Sequence, residues 1–244
     1  MRRRNRLSGW DERIIDGFLG LLSRITEDSS KSRDPRVKFV GYHELLKLLG
    51  ESGCPVCTII HRSLLHYLNV VFIEQLTAPE FREPLQDSLG YCPKHSTLVR
   101  LAAKKKLPRM GIAVVYEDLL EQVEMRLEKH EGIPIPSTCP LCGIEKNLEE
   151  YAVQLIADYC GDEELQQHYL VSDGACLPHL RMMIAKLESE PRKFLFSAEK
   201  QILDRLTGNL QEFMRKQDHR YSKDAMTDAE ASSWKQAVHF LVGE

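Results

Sequence analysis

A chain of 244 residues, 43% hydrophobic and 28% charged, has the composition of a globular protein and is long enough to bury a core without disulfides. Its formal net charge of −3 argues against a broadly basic nucleic-acid-binding surface. No stretch reaches the ~20 uninterrupted apolar residues of a membrane span, so no transmembrane segment is expected.

In chain order, the first predicted element is an amphipathic helix carrying Trp10, Ile14, Phe18, Leu21, Leu22 and Ile25 at helical spacing. The basic start "MRRRNRLSGW" opens like a signal peptide, but Asp11, Glu12 and Asp16 interrupt the apolar run and no A-x-A-like cleavage site follows. A cytoplasmic protein is therefore expected. The polar stretch "TEDSSKSRDPR" reads as a linker, which sets residues 1–36 apart. This helix is expected to dock on the body or on a second subunit, the alternative being peripheral membrane or partner attachment by a basic amphipathic face.

The body begins near Val37. Helices are predicted in "YHELLKLL", in "TIIHRSLLHYLNVVFIEQL", in "PEFREPLQDS", in "PKHSTLVRLAAKKK" and in "GIAVVYEDLLEQVEMRLEKH", the last turning Ile112, Val115, Leu119, Val123 and Leu127 inward. The connector "EGIPIPST" separates this module, residues 37–132, from a second one, residues 133–221. There the same order returns: "GIEKNLEEYAVQLIADYC", "DEELQQHYLVSDG", "LPHLRMMIAKLES" and "AEKQILDRLTGNLQEFMRK". Residues 222–244 add a closing helix, with Thr227 and Glu230 at capping-box spacing and Trp234, Val238 and Leu241 facing the core. No alternating strand pattern of convincing length occurs. The predicted fold is all-α, a tandem duplicated helical module.

Six of the seven cysteines carry the sharpest signal. "CPVC" holds Cys54 and Cys57, and "GYCPKH" holds Cys92 and His95. "CPLC" then repeats the pair with Cys139 and Cys142, and "GACLPH" with Cys176 and His179. The gap from CxxC to CxxH is 34 residues in the first copy and 33 in the second, and the first cysteines are 85 residues apart. Marker motifs in the same order at nearly the same interval read as an internal duplication.

Three cysteines and one histidine are a Cys3His zinc set, four ligands with no open position. A C-x-x-C turn brings two sulfurs to one ion, and a C-x-x-H at a helix start places both ligands on one face. Pro55 and Pro140 suit the first helical position, and Gly90 and Gly174 suit turns of positive φ. Thiols at helix N-termini ionise more readily, and Lys94 or Arg181 is placed to offset the residual charge. The expected cofactor is zinc, two ions per chain, with an iron–sulfur cluster or thiol-redox chemistry at the same cysteines as the alternative. Matching loop lengths favour pairing within a module, Cys54, Cys57, Cys92 and His95 around one ion. Pairing across modules requires a swapped arrangement.

Other residues carry less. Cys160 reads as a buried core thiol, and His61 and His66 as helix-surface or packing residues. Lys104 to Lys106 end a helix, where cations suit the dipole; nucleic-acid contact through them and the N-terminal arginines is a weaker reading. The chain has no P-loop, dinucleotide fingerprint, nucleophile elbow or H-E-x-x-H. Binding or scaffolding with an unknown protein partner is expected rather than catalysis.

The four motifs as a set, over about four-fifths of the chain, resemble an uncharacterised bacterial and archaeal family classed as a domain of unknown function. The resemblance implies metal ligation or thiol chemistry in an intracellular prokaryotic setting, and no activity.

Overall fold

Every regular element among the described residues is helical in the computed structural model, which describes residues 40–243 apart from 105–106, 134–137 and 222. The N-terminal amphipathic helix expected over Trp10 to Ile25 lies outside them. Ten α-helices follow one another: α1 (Val40–Leu49), α2 (Pro55–Ile73), α3 (Pro79–Asp87), α4 (Pro93–Ala103), α5 (Arg109–Glu128), α6 (Pro140–Tyr159), α7 (Glu163–Val171), α8 (Leu177–Lys186), α9 (Ser189–Gln217) and α10 (Asp228–Val242). Proline opens α2, α3, α4 and α6, at the position where a missing N–H leaves no hydrogen bond unmade. The order long, short, medium, long over α2 to α5 recurs over α6 to α9.

The expected capping box is present: the Thr227 side chain accepts from the Glu230 N–H, and Glu230 accepts from the Thr227 N–H. The inward face of α10 is not the expected one. Trp234, Val238 and Leu241 are 48%, 57% and 60% exposed, while Glu230 and Ser233 are buried. Glu230 turns inward because it is held by Lys216 Nζ at 2.6 Å as well as by its cap, and that rotates the apolar stripe outward. On α5, Val115 and Leu119 are buried as expected, but Leu127 lies two turns beyond them and is 57% exposed.

Two compact units emerge, and they do not follow the sequence modules. Among the described residues one unit is 60–148, and the other is 40–59 together with 149–243. The boundaries fall inside α2 and α6, and α10 belongs to the second unit.

In the first unit α2 contributes Leu64, Leu68, Val71 and Phe72, and α3 adds Phe81 and Leu85. Each fully buried leucine contributes about 1.5–3 kcal/mol relative to exposure. Phe72 and Phe81 meet edge to face, with centroids 5.7 Å apart. Helices α2 and α5 approach so closely at Gly111 that a Cβ there would lie 2.3 Å from the Phe72 carbonyl oxygen. By length and composition α2 is apolar enough to cross a membrane. Its opening turn carries Cys57, and its surface carries His61, Arg62 and His66.

In the second unit Tyr42 of α1 donates to Asp162, the N-cap of α7, whose carboxylate also accepts from the Leu165 N–H. Deeper in, Glu199 of α9 is 3% exposed. Its Oε1 accepts from the Tyr169 hydroxyl and from the Ala175 N–H at 2.9 Å, while Oε2 has no partner. This carboxylate ties α9 and α7 to the loop entering α8. Gly174 in that loop has φ of 72°, and a Cβ there would lie 2.9 Å from Glu199 Oε2, so only glycine fits.

Burial pushes the Glu199 carboxyl above its usual range, against the lowering effect of its hydrogen bonds from Tyr169 and Ala175. An acid whose folded pKa is raised loses stability as pH climbs through that value. Glutamine keeps an accepting oxygen and cannot ionise. The melting temperature of Glu199→Gln relative to the parent should therefore shift in the variant's favour between about pH 5 and about pH 8. Parallel pH profiles in differential scanning calorimetry would count against this account.

Candidate metal centre

All eight predicted ligands gather into two sets of four, paired across the modules. Site I contains Cys54, Cys57, Cys176 and His179; site II contains Cys92, His95, Cys139 and Cys142. This corrects the expectation of pairing within a module. Helix length supplies the reason. At 1.5 Å per residue, the run from Cys57 to Ile73 at the end of α2 carries the chain about 24 Å away, and the nine residues of α3 span only about 13 Å. The first CxxH therefore closes on the second CxxC, and the second CxxH on the first. Each site then lies wholly inside one compact unit.

Local sequence builds both sites in the same way. Cys92 is the N-cap of α4 and Cys176 that of α8, in extended backbone, and each histidine stands three residues on. Cys54 and Cys139 immediately precede the prolines that open α2 and α6, and Cys57 and Cys142 lie in those first turns. Two helix N-termini thus converge on each set, directing their partial positive charge at the sulfurs.

The spacing is that of ligands around one centre. In site I, His179 Nδ1 is 3.4 Å from Cys54 Sγ, 3.4 Å from Cys57 Sγ and 3.1 Å from Cys176 Sγ, and the Cys57 and Cys176 sulfurs are 3.7 Å apart. In site II, His95 Nδ1 is 3.3 Å from Cys92 Sγ, 3.5 Å from Cys139 Sγ and 3.6 Å from Cys142 Sγ, and Cys92 and Cys142 are 3.8 Å apart. A tetrahedron with metal–sulfur bonds of about 2.3 Å and metal–nitrogen bonds of about 2.0–2.1 Å has edges of about 3.8 Å and about 3.5 Å. The residues present fit a single tetrahedral ion in each site.

Electrostatics point the same way. Burial disfavours the His179 imidazolium, but hydrogen bonds to the sulfurs of Cys176, Cys54 and Cys57 outweigh it and push the group up to about 12. Three clustered sulfurs favour positive charge at their centre. In site II, burial together with the neighbouring Cys139 and Cys92 pushes the Cys142 thiol up to about 12. Burial also opposes ionisation of Cys92, yet the His95 N–H, the Cys142 and Cys139 thiols and the Lys94 N–H overcome it, and that thiol lies below its ordinary value. His95 is lowered, first by burial and also by Lys94, with Glu145 acting in the opposite sense.

Two carboxylates complete the arrangement, and neither was read from the sequence. Glu149 Oε1 accepts from His179 Nε2 at 3.1 Å. Glu145 Oε2 lies 3.3 Å from His95 Nε2, within ion-pair reach but outside hydrogen-bond alignment, and its other oxygen takes Lys94 Nζ at 2.5 Å. A carboxylate on the far nitrogen of a ligating histidine fixes the tautomer and strengthens the ligand. Both glutamates sit on α6, three and seven residues after Cys142, a spacing that was legible. Comparing the two copies hides it, because Ile60 and Leu64 occupy the corresponding positions after Cys57.

The remaining expectations separate cleanly. His61 and His66 are exposed and join neither site. Cys160 is 1% exposed, and burial pushes its thiol up to about 11. Gly90 and Gly174 have φ of 97° and 72°, as their turns require. Arg181 and Lys104 are exposed.

An all-α chain with two cysteine–histidine sets able to hold metal ions is the class that these residues define. Residues 133–244, which hold Cys139, Cys142, Cys176 and His179, match the model of a family of unknown function, DUF6062. A relative described as an uncharacterised 23.9 kDa protein in the xynA 3′ region of Caldicellulosiruptor sp. (strain Rt8B.4) is 23% identical over 207 residues, covering 79% of this chain and 96% of that protein. No solved structure matches. These similarities accord with the uncharacterised family that the motifs resemble.

Two outcomes follow. Glu149→Ala should weaken metal retention at site I by about 10- to 100-fold, and Glu145→Ala should cost site II less, because its carboxylate is out of line with the ring N–H. Competition with a chromophoric chelator measures both, and an equal loss in the two variants would contradict the geometry. Filling both sites of metal-free protein near pH 7 should release about two or more protons per chain, because the raised His179 and Cys142 groups must give theirs up. Metal retention should accordingly fall as pH falls. Titration in weakly buffered solution counts the protons.

Proposed function

We propose that this protein binds two zinc ions in closed Cys3His sites and acts as a structural, binding or scaffolding module in a reducing intracellular compartment. The observation that carries the reading is the convergence of eight side chains into two sets with tetrahedral zinc edge lengths. Four protein ligands leave no position for a reactive water, which favours a structural role over hydrolysis. When bound, zinc supplies charge neutralisation for three thiolates; the chain supplies Nδ1 of each histidine, oriented by Glu149 or approached by Glu145. Within each set the ligand atoms all lie within 4.8 Å of one another. An iron–sulfur cluster spreads its ligands over two or more irons, so that spacing favours a single ion. The recurring helix order supports duplication of one module.

A structural zinc contributes about 10–16 kcal/mol of apparent binding free energy, comparable with the whole stability of a domain. Full-length protein purified anaerobically should carry two zinc ions per chain and be colourless. Iron with visible absorbance would reject the zinc reading. Double variants test the pairing: Cys57→Ser with Cys176→Ser should lose one ion per chain, and Cys57→Ser with Cys92→Ser should lose both. The reverse result in elemental analysis would restore pairing within modules.

A further inference from the structure

The two sites share a donor set but differ in access. In site I all four ligands are buried, with Cys54 2% and Cys176 1% exposed. The end of α10 closes over them. A Cβ at Gly243 would lie 3.4 Å from Cys176 Sγ and 3.9 Å from Cys57 Sγ, and the Cys54 N–H donates to His239 Nε2 at 3.2 Å. A cleft of about 350 Å³ between α9 and α10 is lined in part by Cys54 and Cys176, but both residues remain buried. In site II, Cys139 and His95 are buried, whereas Cys92 and Cys142 are partly open to solvent, with their sulfurs 3.8 Å apart. One accessible thiolate and a second within reach are what stepwise oxidation to a disulfide requires.

Resting on the zinc reading above, we infer that site II is a modification site for hydroperoxides: Cys92 and Cys142 are oxidised to a disulfide and the ion leaves, while site I keeps its own. The attacked thiolate sulfur forms a bond to the terminal peroxide oxygen as the O–O bond breaks. The leaving alkoxide or hydroxide takes a proton and departs as alcohol or water. The second thiolate then attacks the sulfenic sulfur, the S–S bond forms, and hydroxide leaves to become water. Two thiolates lose two electrons and the hydroperoxide gains them. Cys139 and His95 alone are too few to retain the ion. Cys160, buried at 1% exposure, does not compete for the oxidant.

The test uses full-length protein shown by elemental analysis to hold two zinc ions, with hydrogen peroxide as the probe and a metallochromic indicator reporting release. One zinc per chain should leave about tenfold or more faster than the other, with a Cys92–Cys142 cross-link in the peptide map. Reduction with added zinc should restore the content. Cys57→Ser, lacking site I, should keep the fast phase, and Cys139→Ser, lacking site II, should lose it. Release of both ions in one phase, a fast phase that survives in Cys139→Ser, or a cross-link between Cys139 and Cys142 would each overturn the inference while leaving the zinc reading intact. Protein that holds no zinc at the outset overturns both.

Discussion

Three sulfurs and an imidazole held within van der Waals distance of one another are the constraint on which this molecule depends. Ionised together they repel, and protonated together they forfeit the pull of two converging helix N-termini. A divalent ion would resolve the conflict, and the two sets distribute charge differently. In site I the sulfurs push His179 up to about 12, whereas in site II burial and the neighbouring thiols push Cys142 up to about 12.

From that constraint the topology follows. A ligand pair at the start of a 19- or 20-residue helix sends the chain away from itself, and a nine-residue helix does not bring it back. The second half of each site is therefore supplied by the other sequence module. Swapped in this way, neither sequence module can complete a metal set alone, and each compact unit contains ligands from both. An ion held in either set would therefore tie together residues from both sequence modules.

The surroundings of the two sites differ although their cysteine and histidine sets do not. Glu149 is aligned on His179 and α10 lies over the sulfurs of site I, while Glu145 divides its carboxylate between His95 and Lys94, and Cys92 and Cys142 of site II are only partly buried. Identical donor sets thus differ in burial. The helix that covers site I also explains why its own apolar residues point outward. Its inward face is set by Glu230 on Lys216 and by His239 on the Cys54 N–H, so Trp234, Val238 and Leu241 are left on the other side.

Helix content, element order, the eight ligands, the positive-φ glycines and the Thr227–Glu230 cap were all readable in the chain, because each is a local rule of periodicity, spacing or backbone freedom. The glutamates behind the histidines stood at readable positions on α6, yet nothing local marked them, since a carboxylate on a helix face is ordinarily solvated. Which CxxC meets which CxxH, where the compact units divide, and which face of α10 turns inward were decided only by the tertiary structure. Those outcomes depend on how helices of known length turn back on one another and on what waits there to be paired, and sequence spacing does not encode those angles and partners.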